Sequence, residues 1–315
     1  MIRGMLLHIV LALAAIAAAY AAWQAPGTTH TAAERLVCDV TPSELRAVRW
    51  QEEKFIVEVT RGDGGYEVTV TPREAKEGAV SPATQRYPGS DRVEALWQGL
   101  APLWAARSLG MLEDPKLGEL GLAKPTSELR LTLAGRDVVL GIGGATFGSG
   151  DLYARTTDGE VVLLRAASVR DLRYGATSLI DRRLIASPRV DIHRVVLSVG
   201  ERGRELLQRH ADKEETAFFA DPAEPDAKLE RAGAWMARLW RLRGEERVAQ
   251  PPPGTPSATI ELWTTSERRD VIRLWPANGP EALGTSERFA DGVTLSKSTV
   301  DALLRDIEQV LQEGR

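Results

Sequence analysis

The chain has one cysteine, Cys38, among 315 residues, so it can form neither an intrachain disulfide nor a thiolate metal cluster. Histidine is nearly as scarce, with four in all, and only His193 and His210 fall in the expected folded body. That leaves little imidazole to activate a Ser or Cys nucleophile. His193 reads as a partly buried strand residue and His210 as a solvated one. The sequence lacks an H-E-x-x-H pair, a calcium loop and a G-x-S-x-G elbow. It also lacks an excess of one charge: 40 Lys and Arg stand against 44 Asp and Glu, for a net charge of -4. This excludes the electrostatic footprint of a nucleic-acid binder. Cys38 follows Val37, where a lipoprotein site needs a small residue, and reads as a small buried apolar side chain. The residues therefore nominate no catalytic group, no metal ligand and no cofactor.

One uninterrupted apolar run is present, Gly4 to Trp23, with Arg3 ahead of it. Its length matches the roughly 17 to 25 residues that cross a bilayer as a helix. Tyr20 and Trp23 suit the membrane boundary. Ala19 and Ala21 form an A-x-A pattern that would suit cleavage of a signal peptide instead. The run reads as an anchor or uncleaved signal over residues 1–24, followed by a tether over 25–35 that contains Pro26 and Gly27. The expected location is the inner (cytoplasmic) membrane, single-pass through residues 4–23, with the C-terminal body in the periplasm or outside.

The rest, 43% hydrophobic and 27% charged over the whole chain, has the composition of a globular protein. Alternation at Phe55, Val57 and Val59 and at Tyr66, Val68 and Val70 predicts a hairpin turning at Gly62 to Gly65. From Ser90 or Asp91, the helical spacing of Val93, Leu96, Trp97, Leu100, Leu103 and Trp104 predicts a helix, with Pro102 in its last turn. LRLTL, DVVLGI, DLYART and EVVLLR then predict an antiparallel meander. Strands at VDIHRVVLSV and RELLQRH, a helix from Ala227 to Arg243, further strands and a helix from Ser298 to Glu313 repeat that order. Pairing Leu103-Trp104 with Leu239-Trp240 aligns Pro125 with Pro256, Val139 with Ile272, and Asp158-Gly159 with Asp291-Gly292. The expected fold class is α+β: an N-terminal transmembrane helix, then two tandem duplicated modules, each an antiparallel sheet packed with a helix. The modules span residues 36–178 and 189–315, joined by a connector over 179–188.

Two stretches invite a site. The Gly-rich segment from Gly141 to Gly150 lacks the Lys-Ser/Thr pair and the helix that a phosphate cradle needs, and reads as a long hairpin loop. Asp181, Arg182 and Arg183 form a charged knot that reads as an ion-paired connector, and Asp212 to Glu215 reads as a solvated turn.

GLAKP from Gly121 to Pro125, the meander, and VRDLRYGATSLIDRRL resemble an uncharacterised bacterial family, a domain of unknown function. It comprises single-anchor envelope proteins encoded beside ABC-transporter and gliding-motility components. The matching motif is Gly121-Leu122, Pro125 and Tyr153-Ala154-Arg155, with Glu287-Arg288-Phe289 departing at the corresponding step of the second module. The resemblance implies a location and a class of partner, not a catalytic residue. Together these features lead to an expectation of a membrane-tethered extracytoplasmic accessory protein, a non-enzymatic docking or scaffold partner of an integral membrane protein such as an ABC-transporter permease. The alternative is an envelope hydrolase or small-ligand-binding protein that uses the cleft between modules. Two close carboxylates with displaced pKa would mark that alternative; a flat apolar patch would mark docking.

Overall fold

The structure, a computed structural model, describes residues 34–62, 64–73, 84–211, 213, 216–248, 250, 252–277, 279 and 281–314. With 46% strand against 20% helix, the protein is mostly β, built on two antiparallel sheets, and the α+β expectation is corrected. No helix among the described residues is long and apolar enough to cross a membrane. The run at residues 4–23, on which the expected transmembrane helix rested, lies outside the described residues.

The first half contains β1 (Arg35–Cys38), β2 (Leu45–Gln51), β3 (Phe55–Gly62), β4 (Gly65–Pro72), β5 (Gln85–Pro88), α1 (Arg92–Leu100), β6 (Leu103–Met111), α2 (Asp114–Glu119), β7 (Ser127–Leu133), β8 (Asp137–Ala145), β9 (Leu152–Thr156), β10 (Glu160–Leu164) and α3 (Ala166–Arg173). The second contains β11 (Arg194–Val199), β12 (Arg202–Arg209), β13 (Phe218–Ala220), α4 (Glu230–Trp240), β14 (Gly244–Arg247), β15 (Ala258–Trp263), β16 (Arg268–Trp275), β17 (Glu281–Ser286), β18 (Phe289–Ser296) and α5 (Lys297–Gln312).

The shift from α+β to mostly β has a local cause. Strands also form in segments too short or too polar to show any apolar alternation, such as β1, β5, β13 and β14. The apolar helical spacing also outruns the helix itself: α1 ends at Leu100, and Leu103 and Trp104 begin β6. Pro102 cannot donate to a helical ladder, and the residue before it is driven to extended backbone. Ala101 accordingly has φ -137 and ψ 96.

The first sheet has the order β1-β6-β10-β9-β8-β7-β2-β3-β4-β5, and the second, read from its matching edge, β14-β18-β17-β16-β15-β11-β12-β13. Setting β6 against β14, β7 to β10 against β15 to β18, and β2 and β3 against β11 and β12 makes the two orders coincide. The register corrects the residue pairing expected from sequence. Ala105 faces Leu164 and Gly244 faces Leu295, so the start of β6 matches β14 rather than Leu239-Trp240, which lie in α4. Leu140 pairs with Leu129 as Ile272 pairs with Ile260, so Ile272 corresponds to Leu140; Val139 points to the opposite face. Gly159 sits in the β9–β10 turn, whereas Asp291-Gly292 lie inside β18. The pairing of Pro125 with Pro256 does agree with the register, each standing two residues ahead of a matched strand.

Each sheet buries one face under helices. Val48 and Trp50, Val57 and Val59, and Leu129 and Leu131 alternate onto the covered face of the first sheet and meet Val93, Leu96, Trp97 and Leu100 of α1. Fully burying one such aliphatic side chain contributes about 1.5–3 kcal/mol. The second sheet is covered by Ala232, Trp235, Met236 and Leu239 of α4 and by Val300, Leu303 and Ile307 of α5. The three buried indoles are satisfied: Trp50 Nε1 donates to Glu52 Oε1 (2.9 Å), Trp97 Nε1 to the Pro42 carbonyl (3.1 Å) and Trp235 Nε1 to that of Leu303 (2.8 Å). Trp104 and Trp240, expected to be the buried pair, are only half-buried. No α4 cap side chain bonds its own first turn; the Glu313 carboxylate accepts there from the Arg231 and Ala232 amides, both at 2.9 Å.

Candidate functional site

The Gly-rich stretch is the first candidate, and packing accounts for it. Gly141 to Ala145 belong to β8, not to a loop. A Cβ on Gly143 would lie 2.2 Å from the Leu120 carbonyl oxygen, and one on Gly141 would lie 2.7 Å from Pro125 Cγ. The segment containing Gly121, Leu122 and Pro125 therefore lies flat on the outer face of the first sheet. Gly144 donates to the Leu120 carbonyl at 2.8 Å, and Leu117, Leu122 and Val161 form a small second core. The glycines admit backbone, which is a structural use of the missing side chain. Tyr153-Ala154-Arg155 lie on β9, with Ala154 buried under the helices. The β16–β17 and β17–β18 registers set Leu283-Gly284-Thr285 opposite the matching positions, so Glu287-Arg288-Phe289 is not the equivalent step.

The second candidate is a groove of about 600 Å³ lined by Val190, His193, Gln208, Arg209, His210 and Ala211 at one end of the β11–β12 pair. It brings His193 and His210 together. His193 is exposed, not partly buried, because it precedes β11 instead of lying within it. Among the described residues, no group of three or more His, Cys, Asp or Glu is placed to hold a metal ion.

The third candidate is the seam between the sheets. Residues 179–184 run through it as an extended ribbon bonded on both sides. Toward the first sheet, the Asp181 amide donates to the Pro88 carbonyl and the Ser90 amide to that of Leu179, with Gly89 bridged to Ile180. Toward the second, the Gly244 amide donates to the Arg182 carbonyl and the Leu184 amide to that of Leu242, with Arg183 bridged to Arg243. Side chains reinforce the seam. The single proton of Tyr87 Oη is within reach of two acceptors, Gln85 Oε1 and the Glu245 carbonyl, and Arg247 Nη1 donates to the Arg86 carbonyl at 2.9 Å. Arg182 Nη1 also donates to the Glu245 carbonyl (2.8 Å), and its guanidinium stands 5.5 Å from the centre of the Tyr87 ring.

Asp181 is the electrostatic centre of the seam. Its side chain is 6% exposed and is held by Arg183 at 2.8 Å and by Arg288, from the β17–β18 turn, at 2.7 Å. Burial alone would raise its pKa, but hydrogen bonds from the Arg183 side chain and amide and from Arg288 outweigh it and bring it to about 2. Asp181 is thus fixed as an anion and ill suited to donate a proton near neutral pH. The ion-paired reading of Asp181 and Arg183 agrees with this geometry. What the sequence did not indicate is Arg288, distant in the chain and brought in only by the β17–β18 turn.

A shallow cleft of about 350 Å³ opens over the seam, lined by Ser90, Asp91, Ile180, Asp181, Arg182, Arg183 and Arg243. A second buried carboxyl, Asp270, lies elsewhere, on β16: burial pushes its pKa up, and it accepts from the Glu287 amide at 2.9 Å. It does not line the cleft, so Asp181 and Asp270 do not form a facing pair there.

Comparison with known proteins adds one family and no individual relative. No curated protein matches the chain. A family model matches residues 85–250, just over half of the chain, running from β5 through the ribbon to just beyond β14 and so containing the seam's backbone but not Arg288. The chain belongs to the family described as Domain of unknown function (DUF4340).

Proposed function

We propose that this protein is a docking or scaffold partner of an integral membrane protein, an ABC-transporter permease being the kind suggested by the resemblance of its GLAKP and meander residues. The observation that carries the reading is the seam. Two sheets of matching strand order are held side by side by a ribbon bonded to both, with a charged, shallow and open cleft above it. Small-molecule sites are more often deep, concave and mostly apolar, whereas a shallow charged surface on a rigid frame suits protein docking. The carboxylate that lines the cleft most deeply, Asp181, is neutralised by two arginines and is not poised for proton transfer. The location belonging to this reading is the extracytoplasmic face of the cytoplasmic membrane, and it rests on the resemblance.

The test is co-purification of the full-length protein from membranes in mild detergent, with partners identified by mass spectrometry. Retention of a transporter subunit by the wild-type protein, with loss on opening the seam by Asp181→Ala, is the expected result. Retention of no membrane protein above the control would overturn the docking reading. Hydrolysis of an envelope polymer by the purified protein would replace it with the enzyme alternative.

A further inference from the structure

Residues directly opposite in an antiparallel bridge project to the same face, with Cα atoms about 4.5–5.5 Å apart. Arg183 and Arg243 are such a pair, an arrangement that is unfavourable for like charges unless something negative sits between or above them. The negative charge at hand is already committed. Asp181 is shared between Arg183 and Arg288, and Arg183 has Asp91 as a further acidic neighbour. Among the described residues Arg243 has no carboxylate partner: its Nη1 donates to the Trp240 and Leu242 carbonyls at 3.1 and 3.3 Å. Arg182 spends Nη1 on the Glu245 carbonyl, and its buried Nε has no hydrogen-bond partner among the described residues. Arg182, Arg183 and Arg243 thus line one cleft whose two acidic residues are Asp91 and the saturated Asp181. A cationic cleft on a chain of net charge -4 is a local reversal of sign that surface averaging does not explain.

We propose that the cleft over the seam receives a carboxylate side chain from an acidic segment of a partner protein, clamped by Arg243 and the outer edge of Arg183. Guanidinium groups are planar and pair with carboxylates through two parallel hydrogen bonds, and such pairs persist at partly dry interfaces. The cleft is shallow and open to chain on either side, which suits a side chain borne on an extended segment. This inference rests on the docking reading and names the chemistry of the partner.

The test measures binding of the full-length protein to a short fluorescein-labelled peptide of alternating Glu and Ser, and to its Gln counterpart, by fluorescence anisotropy. The Glu peptide binds, the Gln peptide does not, and added salt weakens the complex. Arg243→Gln weakens it by about tenfold or more, the size expected for losing one close interfacial charge pair. Arg243→Lys keeps the charge but loses the planar fork and falls between. Near-ultraviolet circular dichroism of each variant confirms an unchanged fold. Equal binding of the two peptides, or wild-type affinity in a folded Arg243→Gln, overturns the proposal. Inorganic phosphate binding more tightly than the Glu peptide also overturns it, in favour of a free oxyanion. The two proposals fail separately. Retention of a membrane partner without peptide binding removes only the carboxylate clamp, and peptide binding without any retained membrane partner removes the docking role.

Discussion

In the first sheet the covering helices α1 and α3 have nine and eight residues; in the second, α4 and α5 have eleven and sixteen. The first sheet compensates with the extra edge strand β1 and with a strand-rich β4–β5 flank, while the second ends in the three-residue β13. In each half the main covering helix buries an indole, Trp97 of α1 and Trp235 of α4, and must give its Nε1 an acceptor. The first borrows the carbonyl of Pro42, in the loop before β2, and the second that of Leu303, inside the neighbouring helix. The outer faces differ in the same way. Matched strand positions carry Gly143 in β8, which lets the Leu120 backbone come close, and Trp275 in β16, whose Nε1 donates to the Gly254 carbonyl at 3.2 Å. A shared strand order therefore constrains the sheet's own hydrogen bonds and leaves the covers free to solve the same burial problem differently.

Removing the indoles tests the comparison most severely. Trp97→Ala and Trp235→Ala should each lower stability by about 3–5 kcal/mol, the range for aromatic truncation in a core. Urea titration followed by far-ultraviolet circular dichroism measures both. A loss for Trp235 well below that for Trp97 would mean that the longer helix pair re-closes over the cavity.

Neutralising the seam comes next. The folded-state pKa of Asp181, about 2, lies below its ordinary value of 3.8. The stabilisation is therefore fully present above pH about 4 and is lost as pH falls toward 2; the displacement corresponds to about 2 kcal/mol. Asp181→Asn should be less stable than the wild type at neutral pH by an amount of that order, with the gap closing through that acid window. A gap independent of pH would show that the carboxylate's charge is not what the seam uses.

A single added methyl should also be felt. Gly143→Ala should cost about 1–3 kcal/mol through overpacking against the Leu120 carbonyl, read as a fall in the denaturation midpoint. The smallest effect has the opposite sign. Gly99 in α1 and Gly233 in α4 have open space where a Cβ would go. Gly99→Ala and Gly233→Ala should each raise stability by about 0.5–1 kcal/mol, and equal gains would show that both helices are equally well formed.

Much of the sheet architecture was legible in the sequence where alternation is long and turns are marked by glycine, as in β3–β4 and β7 to β10. The short edge strands were not, because strands of three or four residues such as β13 and β5 carry too few side chains to show a period. The repeat was visible, but its residue pairing slipped. Apolar side chains recur often enough that an alignment shifted by one or three residues still pairs apolar with apolar. Only the strand register separates Val139 from Leu140 as the partner of Ile272. In the seam, the Asp181–Arg183 pair is local and could be read directly. Arg288 and the Arg183–Arg243 bridge join residues far apart in the chain, and no periodicity or motif announces them.

The ribbon over residues 179–184 also decides how the molecule carries a load. A linker held only at its ends is a leash, and two bodies on a leash can swing apart. This ribbon is fastened along its length to Pro88 and Ser90 on one side and to Leu242 and Gly244 on the other, so it works as a spar. A pull on one sheet reaches the other as a displacement of the whole, with no soft joint in which to dissipate. A partner gripping the cleft would hold both halves at once, and a tug on that partner would be felt at the far edge of either sheet.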